Sequence, residues 1–359
     1  MIFSVEKPTL ATTVSRVKRI AGQRAVLMDV TRNLLLRIKD GEITVAGTNL
    51  DMYVSVHAGH VDAEDVTLLV NADLLNNILS TLRDEPVEFE TDAKSLKIKQ
   101  KETVFTVALE DPEDFPSVPQ VEGTEYSVPS AIFCGAVNSV LPFSGNEKNR
   151  EVLCSVHLEC KDGKINAVAS NGAYLALRTV EVSGSIEPFE ITIPKQSAAY
   201  LPLFFSDEVD LTLKVDKGGI NLDGKKTSVY LRVLEAKYPD WRLAFPNKDG
   251  MIRVKVDGQA FMEAAEKVYL LESRATKIEC EDGRITFSGT GEMGSVLTSI
   301  TGSSTGKTEG NFDPKMLYQI SKRLIGEVVL HMPEKGTLSP CVFEPSPDET
   351  YLLMPVQIE

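Results

Sequence analysis

No stretch of this 359-residue chain approaches the roughly 20 consecutive apolar residues that a bilayer-spanning helix needs, so a membrane protein is not expected. The opening MIFSVEKPTL lacks the charged-then-apolar layout of a secretory signal. Cysteine is sparse and scattered: Cys134, Cys154, Cys160, Cys280 and Cys341 form no CxxC pair, which argues against a disulfide framework. Reduced thiols in a cytoplasmic protein are the expectation. Histidine is scarcer still. His57 and His60 can pair as metal ligands only with further ligands nearby, and none is suitably spaced, while His157 and His331 stand isolated in strand-like runs. No Ser/His/Asp or Cys/His set is suggested locally. We therefore assign no catalytic residue, no metal and no cofactor, and expect a non-enzyme.

Positive charge is also short, with 38 Lys and Arg against 52 Asp and Glu for a net −14. A chain this acidic repels a phosphate backbone unless its bases are segregated. The remaining composition, 42% hydrophobic and 25% charged, is that of an ordinary globular protein, and the length suggests two or three domains.

A threefold repeat is legible. Asp-Gly turns at Asp40, Asp162 and Asp282 each open an alternating run, DGEITVAGTNLDM, DGKINAVASNGAY and DGRITFSGTGEMG, spaced 122 and 120 residues apart. Asp-Gly between alternating apolar residues marks a hairpin, because both turn positions need positive φ. Helical stretches begin 31, 32 and 31 residues later, at Asn71, Pro194 and Asp313, and strand-like runs follow. An earlier helix repeats too: Leu10, Val14 and Val17, then Phe133, Val137 and Val140, then Phe261, Ala265 and Val268 each share one face. Each unit of about 120 residues reads β-α-β-β-β twice over. The Pro-rich segments FPSVPQVEGTEYSVP and YPDWRLAFPNKDGM mark boundaries, giving 1–121, 122–244 and 245–359. The fold class is α+β, three tandem similar domains.

The helical segments 8–24, 71–84, 130–150, 194–206, 258–277 and 313–324 together carry +7, leaving −21 for the rest. In the last one Lys315 and Lys322 share a face opposite Leu317, Ile320 and Leu324. Basic helices and acidic strands suit a body that lines a channel for a nucleic acid with its helices. Phosphate contacts of that kind carry no sequence information.

Two segments imitate nucleotide loops. Gly289-Thr-Gly291-Glu-Met-Gly294 matches G-x-G-x-x-G, but β-branched SVLTSI follows where a phosphate-binding helix must begin. Gly302 to Thr308 resembles a P-loop with one residue too few between its glycines, and EGNFDP follows rather than a helix. Both are expected to be hairpin or loop, which leaves a nucleotide-dependent enzyme as a remote alternative.

MIFSVEKPTL, NLLLRIKDGEITVAGTNLDM, EDFPSVP, IPKQS, YPDWR and the terminal YLLMPVQ stand in an order that resembles the bacterial DNA sliding clamps across essentially the whole chain. The resemblance implies a DNA clamp fold, with two helices per domain inside and antiparallel sheets outside. It implies a head-to-tail homodimer closing a ring around double-stranded DNA, a clamp loader that opens it, and tethering of DNA polymerase and other proteins with clamp-binding motifs. The location implied is cytoplasmic, at the nucleoid. By position, it implies DNA contacts at Arg24, Arg150, Lys195 and Gln196, and a dimer interface at Phe105, Val107, Leu270 and Leu271. The implied partner-peptide pocket comprises Leu153, Ser170, Gly172, Tyr174, Leu175, Pro239, Leu243, Leu352, Met354 and Pro355. Several positions depart from the family pattern. Ala173-Tyr174 replaces a His-Arg pair, Leu243-Ala244 lacks a second Arg, Gln357 stands for an Arg, and Asp73 stands where a base is common. Such losses should weaken contacts to acidic parts of a partner peptide or change which partners are accepted, as in a clamp serving the polymerase set of a phage or mobile element. The alternative within the family is a decoy that binds replication partners without supporting synthesis.

Overall fold

The computed structural model describes residues 1–23, 28–92, 94–147, 149–182, 187–334 and 339–357. Its elements follow one order three times. The first pass is β1 (Ile2–Val5), α1 (Lys7–Lys18), β2 (Asn33–Lys39), β3 (Glu42–Thr48), β4 (Met52–His60), β5 (Val66–Asn71), α2 (Ala72–Thr81), β6 (Val87–Thr91), β7 (Ser95–Gln100) and β8 (Thr103–Ala108). The second is β9 (Glu125–Pro129), α3 (Ser130–Val140), β10 (Ser155–Lys161), β11 (Lys164–Ser170), β12 (Tyr174–Glu181), β13 (Phe189–Pro194), α4 (Lys195–Ala198), α5 (Leu201–Phe205), β14 (Asp210–Val215), β15 (Gly219–Asp223) and β16 (Thr227–Arg232). The third is β17 (Ile252–Asp257), α6 (Gly258–Tyr269), β18 (Thr276–Glu281), β19 (Arg284–Gly291), β20 (Gly294–Ser304), β21 (Thr308–Phe312), α7 (Pro314–Ser321), β22 (Glu327–Met332), β23 (Cys341–Ser346) and β24 (Glu349–Leu353).

The Asp-Gly turns form as their sequence dictates. Asp40 and Gly41, Asp162 and Gly163, and Asp282 and Gly283 all have positive φ, between 50° and 77°. Each closes a two-residue hairpin, pairing Lys39 with Glu42, Lys161 with Lys164 and Glu281 with Arg284. The helices keep their predicted faces: Leu10, Val14, Val17, Phe133, Val137, Val140, Phe261, Ala265 and Val268 are all buried. Side chains cap several of them. Asn71 accepts from the Leu74 amide, Asp257 from Ala260 and Asp313 from Met316, satisfying donors that a helix start leaves open. One expected helix is shorter than its sequence suggests: the stretch from Pro194 divides into α4 and α5, the second restarting with Pro202 in its first turn, where the missing N–H costs nothing.

The chain groups into two compact units. One holds Met1–Cys134, Val182–Glu187 and Ala199–Glu235; the other holds Gly135–Glu181, Pro188–Ala198 and Ala236–Glu359. The first contains a four-stranded sheet, β1-β6-β7-β8, and an eight-stranded sheet, β5-β2-β3-β4-β16-β15-β14-β9. The second contains a twelve-stranded sheet, β13-β10-β11-β12-β24-β23-β22-β17-β20-β19-β18-β21. All strand pairs are antiparallel. Sheets from successive passes merge edge to edge, β4 on β16 and β12 on β24, so the middle pass contributes one four-strand set to each unit. No helix among the described residues is long and apolar enough to cross a membrane.

Candidate functional site

The most distinctive feature of the second unit is a buried apolar cluster on four neighbouring strands. Val168 of β11, Leu175 of β12, Leu352 of β24 and Val342 of β23 are buried together with Tyr238. Register explains the grouping: Leu175 lies opposite Leu352 and Leu352 opposite Val342, so one sheet face carries the row. Half-buried Val152, Leu153, Leu177, Trp241, Phe245 and Met251 pack against it.

Trp241 begins a short 3-10 helix, Trp241–Ala244, capped by Asp240, whose carboxylate accepts from the Arg242 amide. Arg242 lies 4.1 Å from the Trp241 ring centroid and donates through Nη2 to both Glu159 oxygens, at 2.9 and 2.7 Å. Leu243 next to it is 84% exposed and packs on nothing. Beneath the same segment His157, buried in β10, stacks on Tyr238 with centroids 4.5 Å apart and planes 11° from parallel. Its Nδ1 meets Thr192 Oγ1 at 3.1 Å. Burial pushes the imidazole down to about 4, against the pull of Glu159 and with help from Arg242.

Beside the cluster lies a polar cleft of about 360 Å³, lined by Pro142, Ser144, Arg150, Leu153, Cys154, Asn171, Tyr174, Asp313, Lys315 and Met316 among others. The turn between β11 and β12 shapes one wall. Ser170 Oγ donates to the Tyr174 carbonyl at 2.6 Å, Asn171 Oδ1 accepts from the Ala173 and Tyr174 amides, and Gly172 takes φ +94°, a conformation open to glycine. The Tyr174 hydroxyl donates to Asp313 Oδ2 at 3.1 Å, while Asp313 Oδ1 caps α7. Burial foremost, then Asp313, pushes the phenol up to about 12. Lys195 reaches Asn146 Oδ1 at 2.9 Å and the Ser144 carbonyl at 3.2 Å. Burial pulls its ammonium below the usual lysine range. An apolar floor beside a cleft with both signs of charge suits an extended peptide with a few apolar side chains.

The ten pocket residues expected from sequence thus separate by role. Leu175 and Leu352 form the buried floor, and Leu153 joins both cluster and cleft. Ser170, Gly172 and Tyr174 build the turn, Met354 and Pro355 are half-buried, and Pro239 and Leu243 are exposed. Tyr238, Trp241, Phe245, Val168 and Val342 were not among those expected. Strand alternation flags Val168, two residues before Ser170; the YPDWRLAFP segment yields Pro239 and Leu243 through the resemblance, while its aromatics carry no local signal for a pocket.

The residues expected at DNA scatter more. Arg150 lines the cleft, with Glu147 3.8 Å away, and Lys195 holds the 144–146 loop. Gln196 is exposed on α4, and Arg24 lies outside the described residues. On α1, Arg16 bonds the Leu203 carbonyl and Asp207, and Lys18 pairs with Asp73 at 2.8 Å, so part of the helical charge is neutralised internally. Arg19, Lys315 and Lys322 remain exposed, with Lys322 over the Tyr318 ring. Leu317, Ile320 and Leu324 are buried opposite them.

Of the expected interface residues, Val107 is 5% exposed, Phe105 half-buried, Leu271 half-buried and Leu270 70% exposed. Phe105 and Val107 lie on β8, a sheet edge. β20 is also unpaired on one side along most of its length, meeting β17 only at residues 302–304, and exposes Leu297. Neither nucleotide-like segment precedes a helix: Gly291 pairs with Gly294 across the β19–β20 hairpin turn, and the Gly302–Thr308 segment connects β20 to the non-adjacent strand β21, with Lys307 ion-paired to Glu281.

The profile of the DNA polymerase III beta subunit N-terminal domain matches residues 1–119, and that of its central domain residues 127–240. A beta sliding clamp of Rickettsia bellii is 21% identical over 376 residues, covering 99% of each chain, and one of Streptomyces coelicolor is 25% identical over 288 residues, 77% of this chain and 75% of that one. Among solved structures, the Bacillus subtilis DNA polymerase sliding clamp aligns with TM-score 0.93 at 18% identity, and the Pseudomonas aeruginosa DNA polymerase III subunit beta with 0.91 at 18%, each covering 100% of both chains. The fold is that of the sliding clamps. The chain belongs to the DNA polymerase III beta subunit family, whose members are non-catalytic processivity factors.

Proposed function

We propose that this chain is a working DNA polymerase processivity factor. It pairs head to tail with a second copy, encircles duplex DNA and tethers replication proteins through the apolar cluster and cleft of the second unit. The observation that carries the reading is the row Leu175, Leu352, Val342 beside the Tyr174–Asp313 cleft: a prepared apolar floor with a polar end, and no chemistry of its own to perform. Nothing in the comparisons favours a decoy.

In this reading the three passes are domains 1–121, 122–244 and 245–359. Two copies would join the β8 edge, with Phe105 and Val107, to Leu270, Leu271 and the free edge of β20, since a head-to-tail pair needs two different complementary surfaces on each chain. Arg19, Lys315 and Lys322 would join Arg24 and Gln196 at the phosphates, and Arg150 and Lys195 would serve the partner peptide instead. A clamp loader would open the ring, and other proteins with clamp-binding motifs would share the pocket in the cytoplasm, at the nucleoid. The test is synthesis by the host's replicative polymerase and loader on a long, singly primed circular template. Product lengthening that depends on this protein supports the reading. Inhibition, or no effect, would favour the decoy.

A further inference from the structure

The first unit carries a side-chain cluster unrelated to the peptide site. In an unbroken β-strand, residues three apart face opposite sides, so His57 and His60 should point away from each other. The β3–β4 ladder is not unbroken. Thr44 pairs with His57, but Ile43 pairs with Gly59 and Glu42 with His60, so Ala58 is an extra residue in β4. Ala58 is buried at 1% and Gly59 has φ +125°. Such a bulge re-aims the strand beyond it. Here it brings His60 to the side of the sheet that carries His57 and sets it directly across from Glu42. The two imidazole centroids are 5.1 Å apart, and one donor atom from each of Glu42, His57 and His60 lies within 4.8 Å of the others. His57 Nε2 is buried and has no hydrogen-bond partner, a vacancy that a buried polar atom should not carry without a role.

We propose that Glu42, His57 and His60 bind one divalent first-row transition-metal ion, with zinc the ion that fits best. Two imidazoles and one carboxylate are borderline donors suited to zinc, and three protein ligands leave a fourth position for water. Tetrahedral zinc with bonds near 2.0–2.1 Å holds its donors about 3.3 Å apart. The present spread must therefore close by roughly 1.5 Å, which exposed Glu42 and His60 achieve by rotating side chains while half-buried His57 stays in place. The nearest cations by register are Lys39, across the β2–β3 hairpin from Glu42, and Lys226, whose carbonyl accepts from the His57 amide at 2.8 Å. The ion would clip β3 to β4 where the bulge interrupts their ladder.

The experiment is calorimetric titration of the full-length protein with zinc chloride, repeated for His60→Gln, Glu42→Gln and Cys154→Ser. Cys154 is the one thiol that is not fully buried, and hence the obvious competing ligand. The wild type should bind one equivalent with a dissociation constant on the order of 10 µM, as suits a partly exposed three-ligand site. Losing either Glu42 or His60 should weaken that at least tenfold, and Cys154→Ser should leave it unchanged. Both ligand variants change exposed residues, and circular dichroism checks that they fold. Cobalt substitution should give the intense visible bands of a tetrahedral site. Absence of binding at about 100 µM zinc, binding untouched by the two ligand variants, or binding lost with Cys154→Ser would each overturn the proposal.

Discussion

Acid should weaken this protein through His157, by an amount the structure sets. The ring is 2% exposed, stacked on Tyr238, and held neutral because burial outweighs the attraction of Glu159, with Arg242 opposing the proton and Glu190 3.7 Å from Nε2. Folded, it titrates at about 4; unfolded, at about 6.5. The unfolded chain therefore takes up a proton first as pH falls, and stability declines between those two values and not above them. One pH unit of difference is worth about 1.4 kcal/mol, so the loss is about 0.8 kcal/mol at pH 6, about 2 at pH 5 and approaches about 3 below pH 4. The assay is urea unfolding at pH 7, 6 and 5 for the wild type and His157→Gln. Other groups titrate alike in both, so the difference between the two pH slopes isolates His157. Parallel slopes, or a His157 ring resonance titrating near pH 6.5 in the folded protein, would refute the argument.

Leu243→Arg should leave stability within about 0.5 kcal/mol, since the side chain packs on nothing. It should tighten an apolar peptide with acidic flanks by up to about fivefold in fluorescence anisotropy, an effect that high salt erases. Tyr174→Phe removes one hydroxyl donor from Asp313 but leaves the α7 cap, so urea titration should show a loss of about 1 kcal/mol. Gly258→Ala should cost about 1–3 kcal/mol in the same assay, because the new Cβ would sit 2.4 Å from the Leu324 carbonyl oxygen, backbone that a rotamer change cannot move aside.

Local rules carried far into this fold. Asp-Gly pairs fixed three hairpins, and apolar residues at helical spacing fixed which faces are buried. Features that depend on distant partners were out of reach. Merging of sheets across passes follows from edge pairing such as Tyr230 against Tyr53, which no single segment encodes. For His57 and His60 the sequence shows no suitably spaced further ligand; Glu42 lies on the neighbouring strand, and the bulge at Ala58 that sets His60 across from it has no strong sequence signature. The pocket was half legible: its strand residues, with Pro239 and Leu243, came with the family resemblance, whereas Trp241 and Tyr238 pack on it through contacts with distant strands that a Pro-rich segment does not announce. The resemblance implies Arg150 and Lys195 as DNA contacts by position, while the local partners that the fold gives them, Glu147 for Arg150 and the Ser144 carbonyl and Asn146 for Lys195, lie far along the chain or in loops and have no pattern in sequence.

Small-angle X-ray scattering on the purified protein tests the proposed homodimeric ring most directly. A ring gives twice the chain mass of 39.4 kDa with a hollow profile, and Leu270→Glu should shift it toward a single chain. A compact single-chain particle in the wild type would rule the ring out, because the β8 edge and the Leu270 surface would then not close it unaided.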